Sequence, residues 1–310
     1  MSDSEVENEK PPLPKDPKPQ DPPTRRAKAK LQEDEKYVPV IIKRTDESRR
    51  HPDDTLEHTI HEGLEQLNRP SLSLFISAIA AGLILGFSAM AVGVVQTYFG
   101  SAESTLVERF VTALVYPLGF VICVMSGSEL FTEHTATAVY PVLDRRSTVQ
   151  RLIRLWSLVL SGNLVGAFIS ALLLHYAEPV VGAAVGYVEV GHHLTHYEAL
   201  PLFISSVLAG WLMAQGGWLV MSTPANLSQM ACIYLVTFVI GLGGFHHAIA
   251  GSVEIFIARL TSPEFTIGSI IHFMAFSIAG NTVGGAGFVA LLNYAHVRRT
   301  RSLEDEEESE

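Results

Sequence analysis

Seven polar or ionisable side chains stand in two groups within long apolar runs: Glu129, Thr132, Glu133 and His134 in one, His246, His247 and Glu254 in the other. An ionisable group in hydrocarbon is costly, so each is a functional candidate by default. Glu129 and Glu133 are four residues apart and fit one helical face. Alternatively they cap half-helix N-termini and hold backbone amides, the reading we favour for Glu129 because its neighbour Gly127 leaves amides unpaired. Histidine, with an ordinary pKa of about 6.5, changes charge near neutrality. Placed just after a glycine-rich break, it can donate a hydrogen bond to a passing anion and release a proton to it. A buried histidine is more often a satisfied core residue, but the position of His246 and His247, opposite Thr132, favours the transport role. His192, His193 and His196 form a third group. Their spacing permits a metal ion, yet only Glu189 and Glu198 stand near, so a solvated external loop is the preferred reading.

The elements that must position these residues follow from how charge is distributed over the 310 residues. The formal net charge is -10, but 13 of the 22 Lys and Arg lie in residues 1–69, six in 70–297 and three in 298–310, with no lysine after Lys43. The stretches 70–102, 110–128, 155–177, 199–253 and 265–297 carry no charge, which no water-soluble domain could turn to its surface. The chain therefore reads as a polytopic membrane protein, all α-helical, with six spans near 72–98, 110–142, 154–177, 201–221, 229–260 and 268–296. The second and fifth are too long to be single straight helices, and both are interrupted, by Ser126-Gly127-Ser128-Glu129 and by Gly241-Leu242-Gly243-Gly244. A break at mid-membrane depth is tolerated only where the freed backbone groups line a cavity or are buried in protein.

Residues 1–69 read as a tail, disordered over 1–36 where Pro, Lys, Glu and Asp dominate. A short apolar run follows at 38–42. Asp53-Asp54 is the expected cap of an amphipathic helix near 53–67 whose stripe is Leu56, Ile60, Leu64 and Leu67. Packing is the preferred role for that helix, with a membrane-surface or pore-mouth role as the alternative. Residues 298–310 form an acidic tail. Arg145, Arg146, Arg151 and Arg154 after span two, and Arg298, Arg299 and Arg301 after span six, put both termini in the cytoplasm. Net acidity without a basic stripe argues against a nucleic-acid partner. Cys123 and Cys232 lie within apolar runs and indicate neither a disulfide nor a zinc site. The acidic, proline-rich start does not read as a signal peptide, and no cofactor or metal is expected.

The sequence also repeats. Gly162-Asn163-Leu164-Val165-Gly166-Ala167 in span three resembles Gly280-Asn281-Thr282-Val283-Gly284-Gly285 in span six, and Ile76 to Leu83 in span one resembles Ile204 to Trp211 in span four. Units of three spans insert in opposite senses, so the halves are inverted 3+3 repeats that bring the two breaks face to face near the midplane. The small-residue pairs Gly82/Gly86, Gly162/Gly166 and Gly280/Gly284 favour close helix packing.

Over residues 70–297 the chain resembles the formate/nitrite transporters. The resemblance is carried by Gly127-Ser128-Glu129-Leu130-Phe131-Thr132, by Trp156 with Asn163-Leu164-Val165-Gly166-Ala167, and by Phe245-His246-His247-Ala248-Ile249-Ala250. It implies an aquaporin-like six-helix protomer in a homopentamer with a lipid-plugged axis, in a bacterial inner membrane. It also implies a pore in each protomer for small monovalent anions such as formate or nitrite, as a channel or coupled to protons. His247 then resembles the central histidine and Thr132 the threonine that hydrogen-bonds it, with His246 beside them. Leu130 and Phe131 resemble the cytoplasmic constriction, with Ile240 where a family phenylalanine usually sits, and Tyr116 and Phe120 fall at the outer constriction. Gly127, Glu129, Glu133, Gly243, Gly244, Asn163 and Asn281 support the broken helices. The sequence departs from the family pattern where His246 replaces an acid, Gly251 and Gly210 replace asparagines, and Leu194 stands near the place of a vestibule lysine. A pore without that lysine and those amides loses much of what attracts a carboxylate.

Two other function classes compete with an anion pore. One is a neutral-solute channel for water, glycerol or ammonia, whose paired Asn-Pro-Ala caps are matched here only by Pro224-Ala225-Asn226. The other is an intramembrane hydrolase or a scaffold acting through the N-terminal tail. No His-Glu-x-x-His run or Gly-x-Ser-x-Gly elbow supports the hydrolase.

Overall fold

The computed structural model describes residues 50–100 and 105–307. The expectations for 1–36, for the apolar run at 38–42 and for the last three residues lie outside the described residues. Helix α1 (Pro52–Asn68) precedes the spans. It is capped by His51, whose Nδ1 accepts the Asp53 amide at 3.4 Å, and Asp53 and Asp54 sit in the first turn instead of capping it. Pro52 starts the helix because its missing N–H is unbonded there anyway, and carboxylates in the first turn suit the helix dipole. Leu56, Ile60 and Leu67 are buried and Leu64 partly so, as the stripe requires.

The first crossing is α2 (Ser71–Phe99). The second is divided into α3 (Thr105–Val115), α4 (Pro117–Met125), α5 (Phe131–Thr137) and α6 (Tyr140–Leu143). The third is α7 (Val149–Tyr176), followed by α8 (Glu178–Val181) and α9 (Ala184–Thr195). The fourth is α10 (Ala199–Ser222), the fifth α11 (Asn226–Gly243) with α12 (Ala248–Thr261), and the sixth α13 (Ile267–Val283), continued by a π-helical segment (Gly284–Leu291) and α14 (Leu292–Glu307). Among the described residues there is no strand, and six helices are long and apolar enough to cross a membrane. The chain is a multi-pass membrane protein. Exposed Leu72, Ile122, Phe168, Leu173 and Leu227 would cost free energy in water and cost none against lipid.

The repeat holds at the closest helix contacts. α2 packs along α7 as α10 packs along α13. A Cβ on Gly82 would lie 2.2 Å from the Asn163 carbonyl oxygen, and one on Gly210 would lie 2.3 Å from that of Asn281. Only glycine allows backbones that close. Gly210 therefore serves helix packing at a position where the resemblance implies an amide. The halves part company in the sixth crossing, where the wide π turns have no counterpart in α7. There Gly285 meets Thr135 so closely that a Cβ would lie 1.9 Å from Oγ1.

The loop arginines also hold α1 in place. Arg154 donates to the Arg69 carbonyl at 2.9 Å and to Ser71 Oγ at 2.8 Å. Arg298 reaches Asp144 at 2.6 Å and Glu57 at 3.1 Å, and Arg146 reaches Glu57 at 3.2 Å. Together they clamp α1 onto the bundle. The stretch 178–200, expected as a solvated loop, instead holds α8 and α9, with Tyr187, Val190 and Leu194 buried.

Candidate functional site

Both long crossings break as their glycines dictate. After α4 the chain turns at Gly127 (φ +67°), and α11 ends at Gly244 (φ +62°), left-handed conformations that glycine adopts without a Cβ clash. Each break then runs extended into a half-helix, through Leu130 (φ -103°, ψ 126°) and His247 (φ -99°, ψ 126°). Gly243 packs against the ring of Phe245.

One asparagine holds each break. Asn163 Oδ1 accepts the Phe131 amide at 2.8 Å, while its Nδ2 donates to the carbonyls of Ala78 and Glu129, both at 2.8 Å. Asn281 Oδ1 accepts the Ala248 amide at 2.7 Å, while its Nδ2 donates to Ser206 at 2.7 Å and His246 at 3.0 Å. The Glu129 and His246 amides donate in turn to Ser77 and Ser205 at 3.3 and 3.2 Å. Backbone groups stranded by the breaks are thereby satisfied inside the protein.

The capping role favoured for Glu129 does not occur. Asn163 already takes the Phe131 amide, and the Glu129 carboxylate is bonded to the guanidinium of Arg69 and to His134 Nε2. Arg69 lies just beyond α1, so this pair ties the tail helix to the first break. With Glu133 and Gly127, Glu129 and His134 line a cavity of about 320 Å³ that α1 borders with His58 and Glu62. α1 thus packs its apolar stripe on the bundle and borders this cavity with His58 and Glu62.

A larger cavity of about 850 Å³ lies against the second break. Tyr116, Ile240, Gly244, His247 and Glu254 line it, together with Leu194 and the histidines of α9. Ile240, grouped with Leu130 by the resemblance, belongs instead with Tyr116. Phe131 lines neither cavity, because its ring lies edge-on to Trp156 at 6.3 Å. Leu130 and Phe120 are fully buried and line neither cavity as well.

The two breaks meet at Thr132 and His247, with Thr132 Oγ1 2.9 Å from His247 Nε2. The ring's other nitrogen, Nδ1, accepts the Ala250 amide at 3.2 Å and so caps α12. An amide can only donate, so Nδ1 carries no proton and Nε2 is the protonated nitrogen of a neutral ring. Nε2–H then donates to Thr132, whose own O–H is left to donate elsewhere. Phe120 stands edge-on to the imidazole at 5.0 Å and Tyr116 packs on Phe120 at 5.1 Å.

His246, expected beside His247, faces away from it. Its Nδ1 lies 2.7 Å from Ser205 Oγ, and its ring stacks on His193 at 5.2 Å and sits edge-on to Tyr197. His193 also lies 3.2 Å from the Gly244 carbonyl, so α9 is bonded to the second break. His192 pairs with Glu264 at 3.4 Å. No three described His, Cys, Asp or Glu residues are arranged to hold a metal ion. Gly251, in place of a family asparagine, packs against Phe273, where a Cβ would come within 2.4 Å of the ring. No spacing or motif in the sequence signals the Arg69–Glu129 pair, the Ser205 bonds or the His193–His246 stack.

The formate/nitrite transporter family model matches residues 53–295, more than three quarters of the chain. The chain belongs to the formate/nitrite transporter family. It is 35% identical over 251 residues to the inner membrane protein YfdC of Escherichia coli, covering 79% of each chain. It is 28% identical to the formate channel FocA of Haemophilus influenzae, covering 70% of this chain and 84% of that one. A solved ion channel of the same family superimposes with a TM-score of 0.72 at 21% identity, over 79% of this chain and 99% of the other. A pentameric formate channel with formate bound gives a TM-score of 0.61, also at 21% identity, over 73% and 97%. These likenesses establish the aquaporin-like fold of the family's channels, and a family of transporters, not enzymes.

Proposed function

We propose that each protomer is a pore for a small monovalent weak-acid anion, formate or nitrite being the reference solutes, in a homopentamer of a bacterial inner membrane with both termini in the cytoplasm. The observation that carries this reading is the Thr132–His247 pair between two cavities on opposite broken helices. The family and its formate-channel relatives supply the solute class, and the pentameric relative the assembly. The arginines around α1 support the orientation, because cytoplasmic loops concentrate Lys and Arg.

The pair offers a passing solute one neutral donor, the Thr132 hydroxyl, polarised by the imidazole N–H at its lone pair. Such a donor stabilises an oxygen of the solute without a formal charge to trap it. A bare anion in an apolar slit is costly, so the solute crosses most readily when neutralised by a proton. Reconstituted protein should take up labelled formate or nitrite faster at acid than at neutral pH, and His247→Ala, which removes the ring that holds the Thr132 hydroxyl, should slow that uptake at both pH values. Unchanged flux in that variant would overturn the mechanism. A neutral centre also suits an uncharged solute, which an osmotic swelling assay on the same vesicles separates from anion uptake.

A further inference from the structure

Glu254 is a buried carboxyl, only 7% exposed, that has no part in holding either break. It lies seven residues after His247 in α12, about 10 Å along the helix axis, and both line the larger cavity. It makes no hydrogen bond and no ion pair with any other described residue. The charged side chains of that cavity on other elements are Glu108 and Arg109 on α3 and Glu189 on α9. Tyr116, between α3 and α4, and His192, His193 and His196, on or just after α9, are its other titratable groups. His192 is taken up by Glu264, His193 by Gly244 and the His246 ring.

At the end of this cavity His247 is poorly suited to deliver a proton. Both its ring nitrogens are engaged, one by the Ala250 amide and one by Thr132, and gaining or losing a proton would break one of these bonds. A solute that must be neutralised before the slit needs a different donor on its route.

We infer that Glu254 is that donor, a further residue of the transport cycle that protonates the weak-acid anion in the larger cavity before it reaches Thr132. The inference rests on the anion-pore reading above. In the step the carboxyl O–H of Glu254 breaks as an O–H forms on the solute oxygen, leaving neutral acid and glutamate carboxylate. A hydronium ion from cavity water then restores the carboxyl. No electrons are exchanged and no cofactor is needed. In the reverse direction the neutral acid returns its proton to the carboxylate as it leaves the slit.

The test is labelled formate exchange in proteoliposomes of the full chain at equal inner and outer pH, about 5.5 and about 7.5, with the empty-vesicle rate subtracted. Wild-type exchange should rise on the order of tenfold on acidification, in line with loading of a proton-carrying group. Glu254→Gln, which keeps the shape and cannot give a proton, should be slow at both pH values. Glu254→Asp, which keeps the acid, should retain the rise and show that the site tolerates substitution. A Glu254→Gln protein with the wild-type rise, or one fast at both pH values as if only a charge barrier had been removed, overturns the inference while leaving the pore intact. Wild-type protein with no exchange above empty vesicles overturns the anion-pore reading, and the inference with it.

Discussion

Asn163 and Asn281 make the same three hydrogen bonds at opposite breaks, each accepting the amide that opens a half-helix and donating to two carbonyls around it. An inverted repeat explains why one solution appears twice. Each break leaves polar backbone groups where no water can reach them, and a primary amide supplies both donor and acceptor from one side chain.

Asn163→Ala and Asn281→Ala should therefore be destabilising to a similar degree. Each leaves at least one buried amide and one buried carbonyl without a partner, at about 1–3 kcal/mol apiece. Thermal unfolding of the purified protein in detergent should show both variants well below wild type. A loss at one asparagine only would contradict their equivalence.

The hydroxyl of Thr132 should matter more than its methyl group. Thr132→Ser keeps the contact with His247 Nε2 and should transport within a few-fold of wild type. Thr132→Val keeps the shape and removes the donor. Losing one hydrogen bond to the neutral acid, worth about 0.5–1.5 kcal/mol, should slow proteoliposome uptake by about two- to tenfold. Equal rates for Thr132→Val and wild type would remove the hydroxyl from the mechanism.

Much of this was legible in the chain. The six spans follow from hydropathy, the breaks from Gly127 and Gly244, and the pairing of halves from two short matches that include Asn163 and Asn281. What escaped were choices of direction. His246 and His247 are adjacent in extended backbone, where neighbouring side chains point to opposite sides. Sequence cannot say which one faces the cavity until Asn281 and Ser205 have set the register. Sequence alone gives Glu129 the nearest unpaired amide, but Asn163 reaches that amide first and frees the carboxylate for Arg69, sixty positions away. From sequence alone α9 reads as loop, because twelve residues with two histidines and a glutamate are too short and too polar for a span. Its buried face becomes evident only against α2 and α12.

Arg69 should contribute measurable stability through Glu129. The Glu129 side chain is 7% exposed and that of Arg69 30%, so Arg69→Gln leaves a buried carboxylate with only His134. Breaking a fully buried pair costs about 3–5 kcal/mol, and partial exposure of Arg69 lowers the expected loss to about 1–3 kcal/mol. Arg69→Gln combined with Glu129→Gln should recover part of it. Thermal unfolding of the single and double variants tests both statements, and a double variant no better than the single would show that the pair itself is not the source.

His193 should make the protein less stable in mild acid. Burial against the second break is the main cause that holds its pKa below the ordinary 6.5, and Arg109 adds to it, while the bond to the Gly244 carbonyl partly offsets both. The unfolded chain, with its histidine near 6.5, then binds more protons than the folded one as pH falls below that value. Stability must fall with pH through this window and stay level with respect to His193 above it. His193→Gln, which keeps a hydrogen-bonding side chain and does not titrate, should flatten the decline of the unfolding temperature between about pH 6.5 and about pH 5. The same slope in wild type and variant would mean that some other group sets the acid response.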